Sequence, residues 1–191
     1  MIQAAISHLA GELNQKFKAN FPLIEDVVVV SNLVELDGSV APTANNKLVL
    51  TLVNIEKDSL PYRATPLQRG LDERLLINSA PLYLNLYVML SANFGAGNYT
   101  EALKYISNAV LFFQQQMVFD RHNSPSLDHR IEKLILDIEN LKIPDLNNLW
   151  SLMGGRYLPS VFYKVRMISL DSAAVIGQAP VISDIRSETM R

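Results

Sequence analysis

The chain has 191 residues, 49% of them apolar and 19% charged, which is enough apolar material for one sizeable buried core and excludes a disordered polypeptide. Its 17 basic and 19 acidic residues leave a net charge of -2, so no electrostatic footprint for a nucleic acid or an anionic membrane exists. Cysteine is absent, which removes disulfides, thiolate nucleophiles and iron–sulfur clusters and fits a reducing cytoplasm.

The N-terminal residues show no basic segment followed by a long apolar one, and no apolar run reaches the ~18 residues of a membrane span, so neither a secretory leader nor membrane insertion is expected. Ile2, Ile6, Leu9, Leu13 and Phe17 share one face of a helix that ends before Phe21-Pro22. The β-branched run Val27 to Val30 and the apolar run Leu48 to Ile55 read as two strands joined by a loop.

Residues 56–81 change character. Pro61, Pro66, Gly70 and Pro81 interrupt a stretch carrying Glu56, Lys57, Asp58, Arg63, Arg69, Asp72, Glu73 and Arg74, which predicts a long surface loop. Leu82 to Ser91 alternate with period two and are apolar or aromatic on both faces, as in a central strand.

Asn98 as N-cap with Glu101 three positions on opens a helix to Gln116, with Tyr99, Ala102, Leu103, Ile106, Val110 and Phe113 on its apolar side. Residues 131–141 fit either a helix (Ile131, Leu134, Ile135, Ile138) or a strand face (Leu134, Leu136, Ile138). Pro144 near a first turn and Gly154-Gly155 as a stop frame a short helix. Ser160 to Leu170 read as a last strand, and the residues from Ser172 onward as an extended arm. The elements add up to a single α+β domain over 1–171, a mixed or antiparallel sheet packed by two main helices, with the arm at 172–191.

Three constellations could carry chemistry. Gly95-Ala96-Gly97 follows a strand and opens a helix, with Asp120 about where a ribose-binding acid would stand; Thr100 replaces the third glycine of a dinucleotide fingerprint. Asp120, His122, Asp128 and His129 lie close in sequence without a metal-ligand spacing, and His122-Asn123-Ser124-Pro125 is turn chemistry. His8 flanks the packed face of the first helix. No catalytic, cofactor-binding or metal-binding residue is therefore assigned. Trp150, Tyr157, Tyr163 and Arg166 are residue types that dominate interfaces when exposed and are equally ordinary at a core edge.

The stretch from Asn148 to Met167, with Leu149-Trp150, Gly154-Gly155-Arg156-Tyr157 and Val161-Phe162-Tyr163, resembles the tail-terminator or cap family of contractile injection systems. Ile2 to Leu13 with Asn14 and Phe17, Leu50 to Glu56, and Pro81 to Val88 with Asn98-Tyr99 and Glu101-Ala102-Leu103 are similar to that family in the same order. The resemblance covers about residues 2–171. It implies a non-enzymatic structural protein without cofactors, assembled in the producing bacterium and then part of the particle. It implies a homohexameric ring on the end of a tube and sheath, with tube and sheath proteins as partners and no nucleic acid. An adaptor within the same particle is the alternative, and a nucleotide-binding enzyme using Gly95 and Gly97 a further one.

Two segments are candidates for contact. The arm, through Val175, Ile176, Val181 and Ile182, could cover open strand edges of a sheath ring. The charged stretch, through Arg63, Arg69 and Arg74, could meet a neighbouring subunit or tube ring, with Trp150, Tyr157 and Arg166 as further interface candidates.

Overall fold

The computed structural model describes residues 1–22, 25–35, 37–58, 67–69, 75–78, 82–95, 97–169 and 175–179; of these, 67–69, 75–78, 169 and 175–179 are described as backbone. In chain order the elements are α1 (Ile2–Asn20), β1 (Val28–Val30), β2 (Lys47–Lys57), β3 (Leu67–Arg69), β4 (Leu75–Asn78) and β5 (Leu82–Asn93). There follow α2 (Tyr99–Gln115), β6 (Val118–Asp120), β7 (Ile131–Ile138), α3 (Ile143–Leu152), β8 (Ser160–Ser169) and β9 (Val175–Ala179).

A six-stranded sheet in the order β1-β2-β5-β8-β7-β6 forms the body. β1 runs parallel to β2, and every other pair is antiparallel, so the sheet is mixed. β5, apolar on both faces, lies inside the sheet between β2 and β8, as its period-two pattern predicts.

The two faces have separate cores. On one, Leu9, Leu13 and Phe17 of α1 and Ala102, Ile106 and Phe113 of α2 pack on Leu48, Leu50, Leu86, Val88, Leu90, Leu136, Val165 and Met167. On the other, Trp150 of α3 meets Leu33, Ala41, Ala44, Val49 and Met89. Burying the α1 and α2 faces against the sheet supplies most of the hydrophobic driving force, at about 25 cal/mol per Å² of apolar area.

Asn14 is the polar member of the α1 stripe, buried with Leu13 and Phe17. Its Nδ2 donates to Val28 C=O (2.8 Å), and its Oδ1 accepts from Val27 N–H (3.0 Å) and Val28 N–H (2.8 Å). Helix and edge strand are thereby tied through one side chain.

Residues 131–138 are a strand, and the reason their pattern reads ambiguously is local. A register shift between Ile131 and Lys133 displaces the alternation, so buried Ile131 and Leu134 stand three apart, a helical spacing. At α2, Tyr99 and Leu103, expected on the packed side, are 58% and 40% exposed. Asn98 occupies the N-cap at φ −115°, ψ 22° and makes no side-chain cap bond, because that backbone does not aim its oxygen at the first-turn N–H groups.

α3 ends as the glycine pair predicts. Gly154, at φ +92°, takes the left-handed turn, and Gly155 N–H donates to Trp150 C=O at 2.8 Å, the six-to-one bond of a Schellman motif.

Candidate functional site

The long excursion between β2 and β5 is not wholly loop. Leu67–Arg69 and Leu75–Asn78 pair antiparallel, Leu67 opposite Ile77 and Arg69 opposite Leu75. The C-terminal segment joins them: Val175–Ala179 pairs antiparallel with β4, Leu75 opposite Ala179 and Ile77 opposite Gly177. The result is a second, three-stranded sheet in the order β3-β4-β9. Such pairing is illegible in the sequence because its partners are short and about 100 residues apart.

That sheet brings together candidates from both segments. Arg69 ends β3, and Val175 and Ile176 open β9, on either side of β4. Arg63, Arg74, Val181 and Ile182 lie outside the described residues.

Arg166, on β8, faces the end of β2. Its Nε stands 3.0 Å from Asp58 Oδ2, and the Asp58 side chain is buried. Because Arg166 keeps about a third of its side chain in water, the pair is half-buried and the desolvation of Asp58 offsets much of its attraction. Asp58 N–H also donates to Tyr83 C=O at 3.0 Å, so the start of the excursion is held to β5. Beside this pair Tyr87 stacks on Phe162, and its hydroxyl donates to Glu56 Oε2 at 3.0 Å. Burial, then the Glu56 hydrogen bond, raise the Tyr87 hydroxyl above its ordinary value.

Trp150 is 4% exposed, so its ring is part of the second core. Tyr157 is 66% exposed and meets the Trp150 ring edge-on at 5.7 Å. Ile143 and Leu152, 83% and 85% exposed, stand at the two ends of α3, and Ile143 shares a surface depression with Tyr157. Ile143 shares the helical spacing of the packed residues Leu146, Leu149, Trp150 and Met153, so only the fold shows it exposed, whereas Leu152 falls off that stripe and Tyr157 lies beyond the helix. On the same side of the sheet, Leu33, Val40, Pro42, Phe94, Trp150 and Leu158 line a cavity of about 610 Å³.

The chemical constellations are used for structure. The glycine turn is fastened by Gly95 N–H donating to Asn46 Oδ1 at 3.1 Å. β5 and β6 run in opposite directions with β8 and β7 between them, so the parallel strand–helix–strand crossover of a dinucleotide site is missing. Asp120 Oδ1 accepts from His122 N–H and Asn123 N–H, bonds that hold its carboxyl below the ordinary carboxylate value.

Asp128 takes Arg130 in a two-point contact, Nε to Oδ1 at 3.0 Å and a terminal nitrogen to Oδ2 at 2.6 Å, which depresses its carboxyl strongly. His129 points to solvent at 87% side-chain exposure. His8 is nearly buried against Phe119, with Ser126 Oγ 3.4 Å from Nδ1 and Glu12 Oε1 3.7 Å from Nε2. Among the described residues no group of three or more His, Asp or Glu is arranged to hold a metal ion.

What the described residues present at these positions is contact surface on a mixed sheet. The chain belongs to the Pvc16 N-terminal domain family, which it matches over residues 4–184. Two solved structures share its fold. One is the sheath/tube terminator, in the extended state, of PVC, an extracellular contractile injection system, with TM-score 0.63 and 16% identity over 100% of this chain and 64% of that one. The other is the tube-terminating cap of the anti-feeding prophage, with TM-score 0.61 and 11% identity over 96% of this chain and 60% of that one.

These are terminator and cap proteins, not enzymes, and the chain spans less than two thirds of the length of either. No curated protein matches the chain. No helix among the described residues is long and apolar enough to cross a membrane.

Proposed function

We propose that this chain is a structural terminator: a homohexameric ring that sits on the end of the tube and sheath of a contractile injection system and stops their growth. The observation that carries the reading is the family match over residues 4–184 together with a fold shared with two terminator and cap proteins. The physics is that of head-to-tail assemblies. A tube built from such contacts always offers an unsatisfied face at its growing end, and growth stops when a subunit binds that face without recreating it.

In this reading the β3-β4-β9 sheet and the arm beyond it meet the sheath or a neighbouring subunit, through Arg63, Arg69, Arg74, Val175, Ile176, Val181 and Ile182. Tyr157 and the α3 surface supply a second contact. Subunits are made in the cytoplasm and pass into the particle. The test is the solution mass by light scattering, then electron microscopy of particles assembled with and without the protein. A six-fold ring and sheaths of uniform length only when it is present support the proposal. Uniform sheaths in its absence overturn it.

A further inference from the structure

A sheet of six strands has two edges, and each edge strand carries outward N–H and C=O groups that can pair with a strand of another chain. In this sheet the edge strands are β1 and β6, each of three residues. At β1, Asn14 occupies the outward side: its carboxamide takes the Val27 and Val28 N–H groups and gives a proton to Val28 C=O. The strand runs only two residues past Val28.

At β6 a second asparagine does the same work. Met117 C=O accepts from Leu136 N–H at 2.8 Å, which sets the alternation so that Val118 and Asp120 point away from β7. Asn123 Nδ2 donates to Val118 C=O at 2.8 Å, and Asn123 Oδ1 accepts from Asp120 N–H at 3.0 Å. Ser124 N–H then donates to Asp120 C=O at 2.8 Å.

A primary carboxamide is a side-chain copy of the peptide group, with an acceptor and donors held in one plane. At both edges it fills the place that the peptide groups of an added strand would take. The two side chains come from unrelated elements, one a helix and one a turn, yet they meet opposite ends of one sheet. We infer that Asn14 and Asn123 block strand addition at β1 and β6, the two edge strands of the six-stranded sheet, whereas β2 beyond Thr51, paired with β5 alone, lies outside the reach of either side chain. The inference does not depend on the terminator reading; it concerns the sheet alone.

The test compares solution masses by light scattering over a concentration series for wild type, N123A, N14A and the double variant, all in the full chain. V165A is the control, because it truncates a buried residue on the interior strand β8 and lowers stability without opening an edge. N123A removes an exposed turn residue and spares the core. It is expected to form species larger than wild type, with association strengthened about ten-fold, roughly the free energy of one hydrogen bond. Its Asp120 amide should exchange about ten-fold faster when dilute, and slow again as the larger species form.

V165A should keep the wild-type mass at the same folded fraction. Wild-type mass for both edge variants across the series overturns the inference, and so does equal association by V165A, which would trace the effect to instability. Should N14A unfold, N123A alone decides the question at the opposite edge.

Discussion

Replacing Asn14 by alanine removes three hydrogen bonds at once and leaves Val27 N–H, Val28 N–H and Val28 C=O without their partner. Both valines are at most 9% exposed. A buried backbone group left unpaired costs about 1–3 kcal/mol. Because an edge strand lets water reach part of the vacated space, the lower end applies to each group, for a total near 3 kcal/mol. At about 2–4 °C per kcal/mol for a chain of this size, the midpoint of thermal unfolding should fall by roughly 6–12 °C.

Asn14→Asp separates the two roles of the amide. It keeps an acceptor for the two N–H groups and replaces the donor to Val28 C=O by a second acceptor, so the loss should be at least as large near neutral pH. Denaturant unfolding with a shared slope measures both. A loss below about 1 kcal/mol for Asn14→Ala would refute the argument that this side chain satisfies the strand edge.

Four further outcomes are expected. Gly154→Ala places a Cβ 2.9 Å from Val34 Cγ1 at φ +92°, whereas Gly155→Ala at φ +72° meets open space. The first should lose about 1–3 kcal/mol and the second about 1, and the reverse order in denaturant unfolding would remove the Val34 contact as the cause. His8 has its pKa lowered from 6.5 by burial, partly offset by Glu12, so the unfolded chain binds the proton more readily than the folded one. Stability from this site is full above pH 6.5 and falls as the pH drops below it; His8→Gln should flatten the thermal midpoint between about pH 7 and 5, and an unchanged slope would rule His8 out of the acid response.

Deleting residues 173–191 should leave the six-stranded domain folded by circular dichroism while sheath lengths become irregular; unchanged lengths would exclude the arm from capping. Reversing Arg63, Arg69 and Arg74 to glutamate should impair ring formation, read by light scattering against wild type.

The large elements were legible because burial acts on them with one period throughout. α1 shows five apolar residues at helical spacing, and β5 is a twelve-residue strand with an unbroken buried run from Val88 to Ala92, so that both of its sides are covered there. The failures have separate causes. β7 carries a bulge, which makes a strand imitate helical spacing near Ile131. β3 and β4 are too short to announce themselves, and their partner β9 lies at the other end of the sequence.

The residues proposed for contact were the least legible. Trp150 and Tyr157 are both aromatic and seven positions apart, yet one is core and the other surface, because Trp150 lies on the packed face of α3 and Tyr157 beyond the Gly154-Gly155 turn that ends it. Asn14 and Asn123 could have been suspected on one ground each. The first is an amide inside an apolar helical stripe, and the second follows a strand in a turn sequence, where polar side chains bond to backbone.

The strand order also governs how the chain must be made. β2 can pair with β5 as soon as residue 93 has emerged, but the other flank of β5 is filled by β8, which starts at residue 160. The intervening 67 residues (160 − 93), synthesised at about 5–20 per second, take about 3–13 s. During that interval a twelve-residue strand carrying Leu86, Val88 and Leu90 stands at an edge. The finished sheet hides its longest strand in the middle, and every nascent copy exposes it first.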